Sequence, residues 1–265
     1  MINAIVQRIR QGLLSAGVGM YGTEPEGPIK EVLAKTRPVA TECELVRIGG
    51  AGDGGYLLPN DLQGIKYCFS PGVLVTSTFE QDLAARGIRS YLADYSVDKP
   101  PIASEMFVFD KKYLGAFNDD VYFTLGAWIN KYVPQNDCDM ILQMDIEGSE
   151  YPVLCETPES VLQRFRIIVI EFHDLDRLFE KNFLRIYTAG INRLTRYFHC
   201  VHIHPNNCTP PVRRGNIEIP PVMEFTFLRK DRTRVTNRRL SFPHPLDADN
   251  VILNRPLHLP RCWQL

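Results

Sequence analysis

Asp145, Glu171 and His173 are the side chains of this sequence whose types best suit proton transfer or metal binding. A histidine can accept a proton near neutral pH, and a nearby carboxylate can orient it. We therefore predict His173 as a general base supported by Asp145 and Glu171, with His204 as the alternative base. Capping of the helix that begins near Leu175 is the structural alternative for His173.

The same three side chains could instead hold a divalent cation. Asp145, Glu147 and Glu150 lie close together in the sequence, and such a group of carboxylates repels itself unless a positive charge is nearby. Mg²⁺ or Mn²⁺ bound by Asp145, Glu171 and His173 would supply that charge and would acidify a bound hydroxyl. Without a metal, Glu147 or Glu150 would cap the following helix and help to hold substrate. The sequence leaves both roles open.

A second group of polar residues follows the predicted strands at their carboxyl ends, where open parallel sheets bind ligands. Gly72 allows a close approach of the backbone before the helix that carries Glu80. Asp94 can accept hydrogen bonds from both hydroxyls of a ribose. Because no three-glycine turn accompanies these residues, they favour S-adenosylmethionine, which has no pyrophosphate, over NAD. The predicted cofactor-binding residues are Ser70, Gly72, Glu80, Asp94, Tyr95 and Asp145.

The stretch "RIGGAGDGGYLLPND" contains the G-x-G-x-x-G spacing of a dinucleotide-binding turn. That function requires a helix directly after the glycines, and "YLLPND" has no helical periodicity and contains turn residues. The stretch therefore predicts a β-hairpin with Asp53-Gly54 at its tip.

Strand-like and helix-like segments alternate after this hairpin. The strand-like runs are "IKYCFS", "RSYLADYS", "MFVFD", "DMILQMDI", "RIIVIEF", "HCVHIH" and "MEFTFLRK". The helix-like segments are "TSTFEQDLAARG", "TLGAWINKYV", the proline-interrupted "SEYPVLCETPESVLQRF" and one long segment from Leu175 to Phe198. Two further helices, "INAIVQRIRQGLL" and "PIKEVLAKT", precede the hairpin. This order predicts an α/β fold with a mainly parallel sheet and helices on both faces.

The length and composition indicate a single domain. The chain has 265 residues, 45% of them hydrophobic, which is enough for one large core. We expect N-terminal helices and a hairpin at 1–63, a core at 64–232 and a proline-rich extension packed on the core at 233–265. A net charge of -1 argues against a protein whose main function is to bind the backbone of a nucleic acid. The basic run from Arg229 to Arg239 predicts a solvated loop or, alternatively, a contact for an anionic substrate.

The cysteines and the N-terminus predict a cytoplasmic protein without a membrane span. Seven cysteines are scattered and never form C-x-x-C, as is typical of reduced thiols. Arg8 and Arg10 interrupt the apolar residues near the N-terminus, so no signal-peptide segment is formed. Those apolar residues fall on one helical face: Ile2, Ile5, Val6, Ile9 and Leu13. A homodimer is compatible with the sequence.

Five segments carry a family resemblance. They are, in this order, "LQMDIEGSEYPVL", "IVIEFHDL", "VHIHPNN", "MEFTFLRKD" and "FPHPLDADN". Together with "DGGY" in the hairpin, they resemble the FkbM-type family of S-adenosylmethionine-dependent methyltransferases between residues 45 and 250, and "MDIEGSEY" is the most specific piece. The segment "FSPGVLV" keeps one glycine where many methyltransferases have two or three.

The resemblance implies a Rossmann-like seven-stranded class I methyltransferase fold and methyl transfer to a hydroxyl of a sugar, nucleotide-sugar or glycoconjugate. It also implies that Ser70, Gly72, Glu80 and Asp94 bind the cofactor. The partner would be a carbohydrate or another small molecule, with no nucleic acid. An NAD-dependent oxidoreductase is the first alternative, but "FSPGVLV" lacks a pyrophosphate loop. The second alternative is a non-catalytic binding domain of the same fold, but such a domain would not need the polar residues at the strand ends.

Overall fold

The computed structural model describes residues 2–73, 76–134 and 138–264. In these ranges the strands are β1 (Leu45–Ile48), β2 (Tyr56–Pro59), β3 (Tyr67–Pro71), β4 (Arg89–Ala93), β5 (Phe107–Asp110), β6 (Tyr113–Leu114), β7 (Tyr122–Phe123), β8 (Met140–Met144), β9 (Phe165–Phe172), β10 (Phe198–Pro205), β11 (Val212–Arg214), β12 (Ile217–Ile219) and β13 (Met223–Arg229). The α-helices are α1 (Ile2–Ser15), α2 (Glu26–Lys35), α3 (Thr78–Ala84), α4 (Leu125–Tyr132), α5 (Glu150–Glu156), α6 (Glu159–Leu162), α7 (Lys181–Tyr197) and α8 (Arg261–Gln264). Two 3₁₀ helices span Leu175–Phe179 and Lys230–Arg232. None of these helices has the length and hydropathy that a membrane span requires.

Seven strands form one sheet in the order β10-β13-β9-β8-β3-β4-β5. The neighbours from β9 to β5 run parallel, and β13 is antiparallel to both β9 and β10. The predicted α/β fold with a mainly parallel sheet is confirmed. The carboxyl ends of the five parallel strands meet along one side of the sheet, the carboxyl edge.

The central strands β8 and β9 are buried along their whole length, as their continuous apolar runs predict. Successive side chains of β9 enter different hydrophobic clusters: Ile168 and Ile170 belong to the larger cluster, Ile167 and Val169 to the smaller one. The larger cluster includes residues of α2, α4, α5 and α7, and the smaller one includes residues of α3 and the β1–β2 hairpin. Apolar elements therefore cover both faces of the sheet.

The glycine-rich stretch forms the predicted hairpin. Strands β1 and β2 pair antiparallel across the turn at Asp53-Gly54. Gly54 has a φ of 73°, a conformation that favours glycine. A Cβ atom at Gly55 would lie 2.0 Å from the carbonyl oxygen of Gly50, so the turn requires glycine there for its own backbone packing. The hairpin carries Asp53 to the carboxyl edge of the sheet.

The single long helix predicted after β9 is interrupted in the structure. Leu175–Phe179 is a 3₁₀ helix, Glu180 is extended, and α7 begins only at Lys181. Glu180 forms an isolated β-bridge with Thr23. The amide of Lys181 donates to the carbonyl of Gly22 at 2.9 Å. Contacts with the segment before α2 therefore replace one helical turn, which helical periodicity alone does not predict.

The sequence also does not predict two small strand pairs. Strands β6 and β7 pair parallel, and β11 and β12 form an antiparallel hairpin. Each of these strands has two or three residues, which is too short for an alternating apolar pattern to be recognised.

Candidate functional site

A cavity of about 630 Å³ lies at the carboxyl edge of the sheet, between the β1–β2 hairpin and the β6–β7 pair. Its walls carry five carboxyl groups, those of Asp53, Glu80, Asp94, Asp145 and Glu147. No lysine or arginine of the described chain lines it. The cavity is therefore acidic, and a phosphate group would be repelled there.

The structure brings most of the predicted cofactor-binding residues to this cavity. Those that line it are Gly72, Glu80, Asp94 and Asp145. Ser70 is fully buried and bonded to Glu80, so it adjoins the cavity through that side chain. Tyr95 is not among the residues that line the cavity in the described chain. The residue is 41% exposed, and its ring centroid lies 5.5 Å from that of Tyr113.

Close packing of the backbone at the ends of two strands requires glycine at position 72. Gly72 has a φ of 87°, and a Cβ atom would lie 1.6 Å from the carbonyl oxygen of Asp145. Its amide donates to the carbonyl of Ala93 at 2.9 Å. Glycine at this position thus lets the ends of β3 and β8 approach closely, beneath the cavity.

Ser70 links two buried polar side chains. Its hydroxyl is hydrogen-bonded to Glu80 Oε1 and lies 2.6 Å from Gln143 Oε1, while Gln143 Nε2 donates to the Tyr56 hydroxyl at 3.3 Å. A hydroxyl has one hydrogen and cannot donate to both acceptors. If Ser70 donates to Gln143, Glu80 must be protonated and donate to Ser70. Burial also raises the pKa of Glu80, to about 7.

Asp94 is held at the wall of the cavity by one of its two oxygens. Oδ1 accepts hydrogen bonds from the amide and the hydroxyl of Ser96, at 2.8 and 2.6 Å. The hydrogen bonds of Asp94 within the described chain leave Oδ2 available to a ligand. Tyr113 and Tyr122, with ring centroids 5.6 Å apart, supply aromatic surface to the same cavity.

His173 lies just beyond β9, and Glu150 fixes the orientation of its ring. Glu150 is fully buried, and its Oε1 accepts from two backbone amides of the turn after β8. The same oxygen lies 3.1 Å from His173 Nδ1, so Nδ1 carries the hydrogen of this bond. His173 Nε2 therefore faces Asp145 Oδ1 and Glu171 Oε1, each 3.7 Å away.

The carboxylates around His173 determine its charge. Burial lowers the pKa of the imidazole, but the hydrogen bond to Glu150 and the charges of Glu150, Asp145 and Glu147 raise it further, to about 9. Burial raises the pKa of Asp145, and the nearby charge of His173 partly offsets that effect. At neutral pH the ring is therefore positively charged and balances the surrounding carboxylates.

A row of ionisable side chains crosses the sheet at the carboxyl edge. Glu171 of β9 lies opposite Glu224 of β13, and Glu224 lies opposite His204 of β10. Asp145, just after β8, continues the row on the other side of Glu171. Burial is the main cause that raises the pKa of Glu171, and the charge of Asp145 is the next. Because like charges on neighbouring strands are unfavourable, this row favours bound protons or a cation.

Two residues of this region were not predicted from the sequence. Glu224 belongs to the row, and Asn250 contacts it. Asn250 Nδ2 donates to Glu224 Oε1 at 2.8 Å and lies 3.4 Å from Asp53 Oδ1. Asn206 Nδ2 similarly donates to Glu171 Oε1 at 3.1 Å. A glutamate within the largely apolar run "MEFTFLRK" is the sequence signal that identifies Glu224 as unusual.

His204, the alternative base, contacts the C-terminal segment. Its Nδ1 lies 3.6 Å from Asp247 Oδ2, and the other oxygen of Asp247 lies 2.8 Å from His202 Nε2. His204 is buried and is not part of the described lining of the cavity. The geometry therefore places His173, rather than His204, beside the cavity residue Asp145.

The basic run begins at the opposite edge of the sheet. Arg229 donates to the carbonyl of Phe165 at the start of β9 and forms ion pairs with Asp139 and Asp231. It lines a separate cavity of about 800 Å³ together with Lys230. These two residues therefore do not reach an acceptor bound at the carboxyl edge.

The fold and the cavity define an α/β protein whose mainly parallel sheet carries an acidic ligand cavity at its carboxyl edge. Residues 123–198 match the family model described as the methyltransferase FkbM domain, which confirms the resemblance found in the sequence. The matched segment contains β8, α5 and β9, and with them Asp145, Glu150 and Glu171. The class of activity that this match supports is methyl transfer.

A solved structure of an rRNA methylase from Streptococcus thermophilus is similar to this chain at 12% sequence identity. The similarity covers 78% of this chain and 96% of the methylase chain, with a TM-score of 0.32. A TM-score this low establishes neither a shared fold nor a shared substrate. A search of curated proteins finds no match to this chain.

Proposed function

We propose that this protein is an S-adenosylmethionine-dependent O-methyltransferase that acts on a hydroxyl of a sugar, nucleotide-sugar or glycoconjugate. One observation carries the proposal: the segment that matches the FkbM domain contributes Asp145 to the same cavity that Asp94 lines. The strand order of the sheet, with β13 as its antiparallel strand, supports the Rossmann-like class I arrangement.

The cavity suits a cationic nucleoside cofactor better than a dinucleotide. Asp94 Oδ2 would accept a hydrogen bond from a ribose hydroxyl, and Tyr113 and Leu114 would contact the base. Bound S-adenosylmethionine supplies a methyl group on a positively charged sulfur. The carboxylates of the cavity walls stabilise such a charge and repel a pyrophosphate.

Asp145 is the residue that we assign as proton acceptor. A neutral hydroxyl is a poor nucleophile and must lose its proton as its oxygen bonds to the methyl carbon; the carbon–sulfur bond would break in the same step, with S-adenosylhomocysteine as the leaving group. Asp145 lines the cavity, and it is the member of the Asp145, Glu171 and His173 group that does so. His173 is positively charged at neutral pH, so it would orient Asp145 and stabilise its carboxylate instead of acting as a free base.

A divalent cation is the second candidate at this position, and the orientation of His173 favours it. In many metal sites a carboxylate accepts from one nitrogen of a histidine, and the other nitrogen ligates the metal. Glu150 has this relation to His173 and leaves Nε2 facing Asp145 and Glu171. One ligand atom from each of these three residues lies within 4.8 Å of the others. Mg²⁺ or Mn²⁺ held there would acidify the acceptor hydroxyl.

The proposed compartment is the cytoplasm, supported by seven cysteines that form no disulfide in the described chain. An NAD-dependent oxidoreductase is disfavoured by the acidic cavity. A non-catalytic binding domain would not require the charged pair of Asp145 and His173 beside that cavity.

Thermal unfolding with added ligands tests the proposed cofactor. S-adenosylhomocysteine is expected to raise the Tm in a concentration-dependent way, because it binds the folded state, whereas NAD leaves the Tm unchanged. Asp94→Ala serves as the matched control and should lose most of the shift. A shift with NAD alone, or equal shifts with both ligands, contradicts the proposal.

A further inference from the structure

Helix α1 has an apolar face that the rest of the described chain does not cover. The residues Ile5, Val6 and Ile9 are 59%, 46% and 51% exposed. Leu13 continues the same face one turn later. Apolar side chains on one face of a helix normally pack against another element, so this face is suited to a partner outside the described chain.

The charges of α1 identify the chemistry of that partner. At about 100° per residue, Arg8 and Arg10 lie on opposite flanks of the apolar face, and Gln7 and Gln11 lie on the far side. Both arginines are exposed. The sequence has no acidic residue before Glu24. A helix with an apolar face, flanking cations and no carboxylate fits the surface of an anionic membrane.

The folded domain carries basic side chains beside the segment at Glu24 and Glu26, which comes just before and at the start of α2. Two adjoining clefts that share Arg37 are lined by six lysines and arginines and by the carboxylate of Glu218, and Glu26 pairs with the cleft residue Lys30 at 2.6 Å. The cationic residues are Lys30, Arg37, Arg213, Arg238, Arg239 and Arg261. Arg214, next to this group, donates to the carbonyl of Glu24 at 2.7 Å and so holds the segment after α1 beside it. These clefts would also attract an anionic surface.

We propose that α1 docks this protein reversibly on a membrane surface that contains anionic lipid. The apolar side chains of α1 would enter the boundary between headgroups and acyl chains, and Arg8 and Arg10 would reach the phosphates. Pairing of α1 with α1 of a second copy is less favourable, because it would bring arginines with no opposing carboxylate close together. The proposal concerns α1 alone and does not depend on the activity of the acidic cavity.

Flotation of the purified full chain with vesicles tests this docking. Vesicles of equal parts phosphatidylcholine and phosphatidylglycerol should carry the protein, and vesicles of phosphatidylcholine alone should carry about tenfold less. The double variant Ile5→Gln, Ile9→Gln should weaken binding by about tenfold or more, since it removes apolar contact without changing charge. The matched double variant Gln7→Ala, Gln11→Ala alters the far side of α1 and should bind as the unaltered protein does.

Two further measurements test the role of the arginines and the folding of the variants. Raised salt and the double variant Arg8→Gln, Arg10→Gln should each reduce binding to the anionic vesicles. An unchanged Tm for all variants shows that the folded domain is intact. Equal binding by the Ile5→Gln, Ile9→Gln variant overturns the proposal, as does failure of the unaltered protein to float with either vesicle. The proposal is also overturned if the unaltered protein sediments as a dimer and the Ile5→Gln, Ile9→Gln variant sediments as a monomer. The apolar face of α1 would then pack against a second copy of the chain.

Discussion

Glu150 Oε1 lies 3.1 Å from His173 Nδ1, and this bond joins the first residue of α5 to the residue that follows β9. Glu150 is fully buried, whereas the side chain of Glu147, which also approaches the ring, is 84% exposed. Because an exposed charge is screened by water and a buried one is not, Glu150 is the carboxylate that should control the protonation of His173.

Glu150→Gln should therefore lower the pKa of His173. The variant keeps an oxygen that can accept from Nδ1 but removes the negative charge, so the pKa should fall from about 9 toward the ordinary histidine value of 6.5. Titration of the His173 ring by NMR measures this directly. Glu147→Gln is the control and should cause a smaller shift. A larger shift in the control would mean that the exposed carboxylate dominates.

The sequence predicted the central elements of the fold because each is long enough to show its period. The continuous apolar run "RIIVIEF" indicated β9, and the glycine-rich stretch indicated the hairpin with Asp53 at its tip. The break at Glu180 could not be predicted in this way, because a contact with Thr23, far away in the sequence, causes it. Tertiary contacts of this kind override local periodicity.

The candidate site was only partly predictable for a related reason. Asp145 and His173 directly follow parallel strands and Glu171 lies near the end of one, so the general rule for such sheets places them at one edge. Glu224 enters the site from the antiparallel strand β13, and only the pairing of β13 with β9 puts it opposite Glu171. The order of strands in a sheet is not encoded in any local pattern.

Glu80 should make the protein less stable as the pH rises. Its pKa is about 7 in the folded protein and 4.5 in the unfolded chain, so the folded state binds more protons between these values. The free energy of unfolding should therefore fall as the pH rises from about 4.5 to about 7, by about 3 kcal/mol for this group. Glu80→Gln, which keeps a donor for Ser70, should remove this dependence.

Urea unfolding at pH 5 and pH 8 measures that difference. Glu31→Gln is the control, because Glu31 is exposed on α2. If Glu80→Gln and Glu31→Gln have the same pH dependence, Glu80 is ionised in the folded protein and accepts the hydrogen bond from Ser70.

Asp94→Ala should weaken binding of S-adenosylhomocysteine by about 2 kcal/mol or more, because a ribose hydroxyl would lose a charged acceptor. Calorimetry measures the affinity. Asp98→Asn provides the comparison, since Asp98 is a nearby carboxylate whose side chain is 88% exposed and paired with Lys111. Equal affinity of the Asp94 variant and the unaltered protein would place the ribose contact elsewhere.

Two glycines of the hairpin should differ sharply on substitution by alanine. Gly55→Ala forces a Cβ atom to within 2.0 Å of the Gly50 carbonyl oxygen, so the backbone must move and stability should fall by about 2 kcal/mol or more. At Gly52 the nearest atom to a new Cβ atom is the Asp249 carbonyl oxygen, 3.9 Å away. Gly52→Ala should change stability by less than about 0.5 kcal/mol. Similar losses in both variants would contradict this account of the turn.

Chelation separates the two roles of the group formed by Asp145, Glu171 and His173. If the group holds a divalent cation, removal of metal should abolish methyl transfer to an identified acceptor, and added Mg²⁺ or Mn²⁺ should restore it. Asp145→Asn and His173→Ala should then be about equally damaging, because each removes one ligand. If Asp145 is a metal-free base, chelator should have no effect, and Asp145→Asn should reduce kcat by about 100-fold. His173→Ala would then act only through the orientation of Asp145 and should be the milder variant. Full activity of the Asp145→Asn variant in chelator would exclude both roles and leave Glu171 as the remaining carboxylate of the group able to accept the proton.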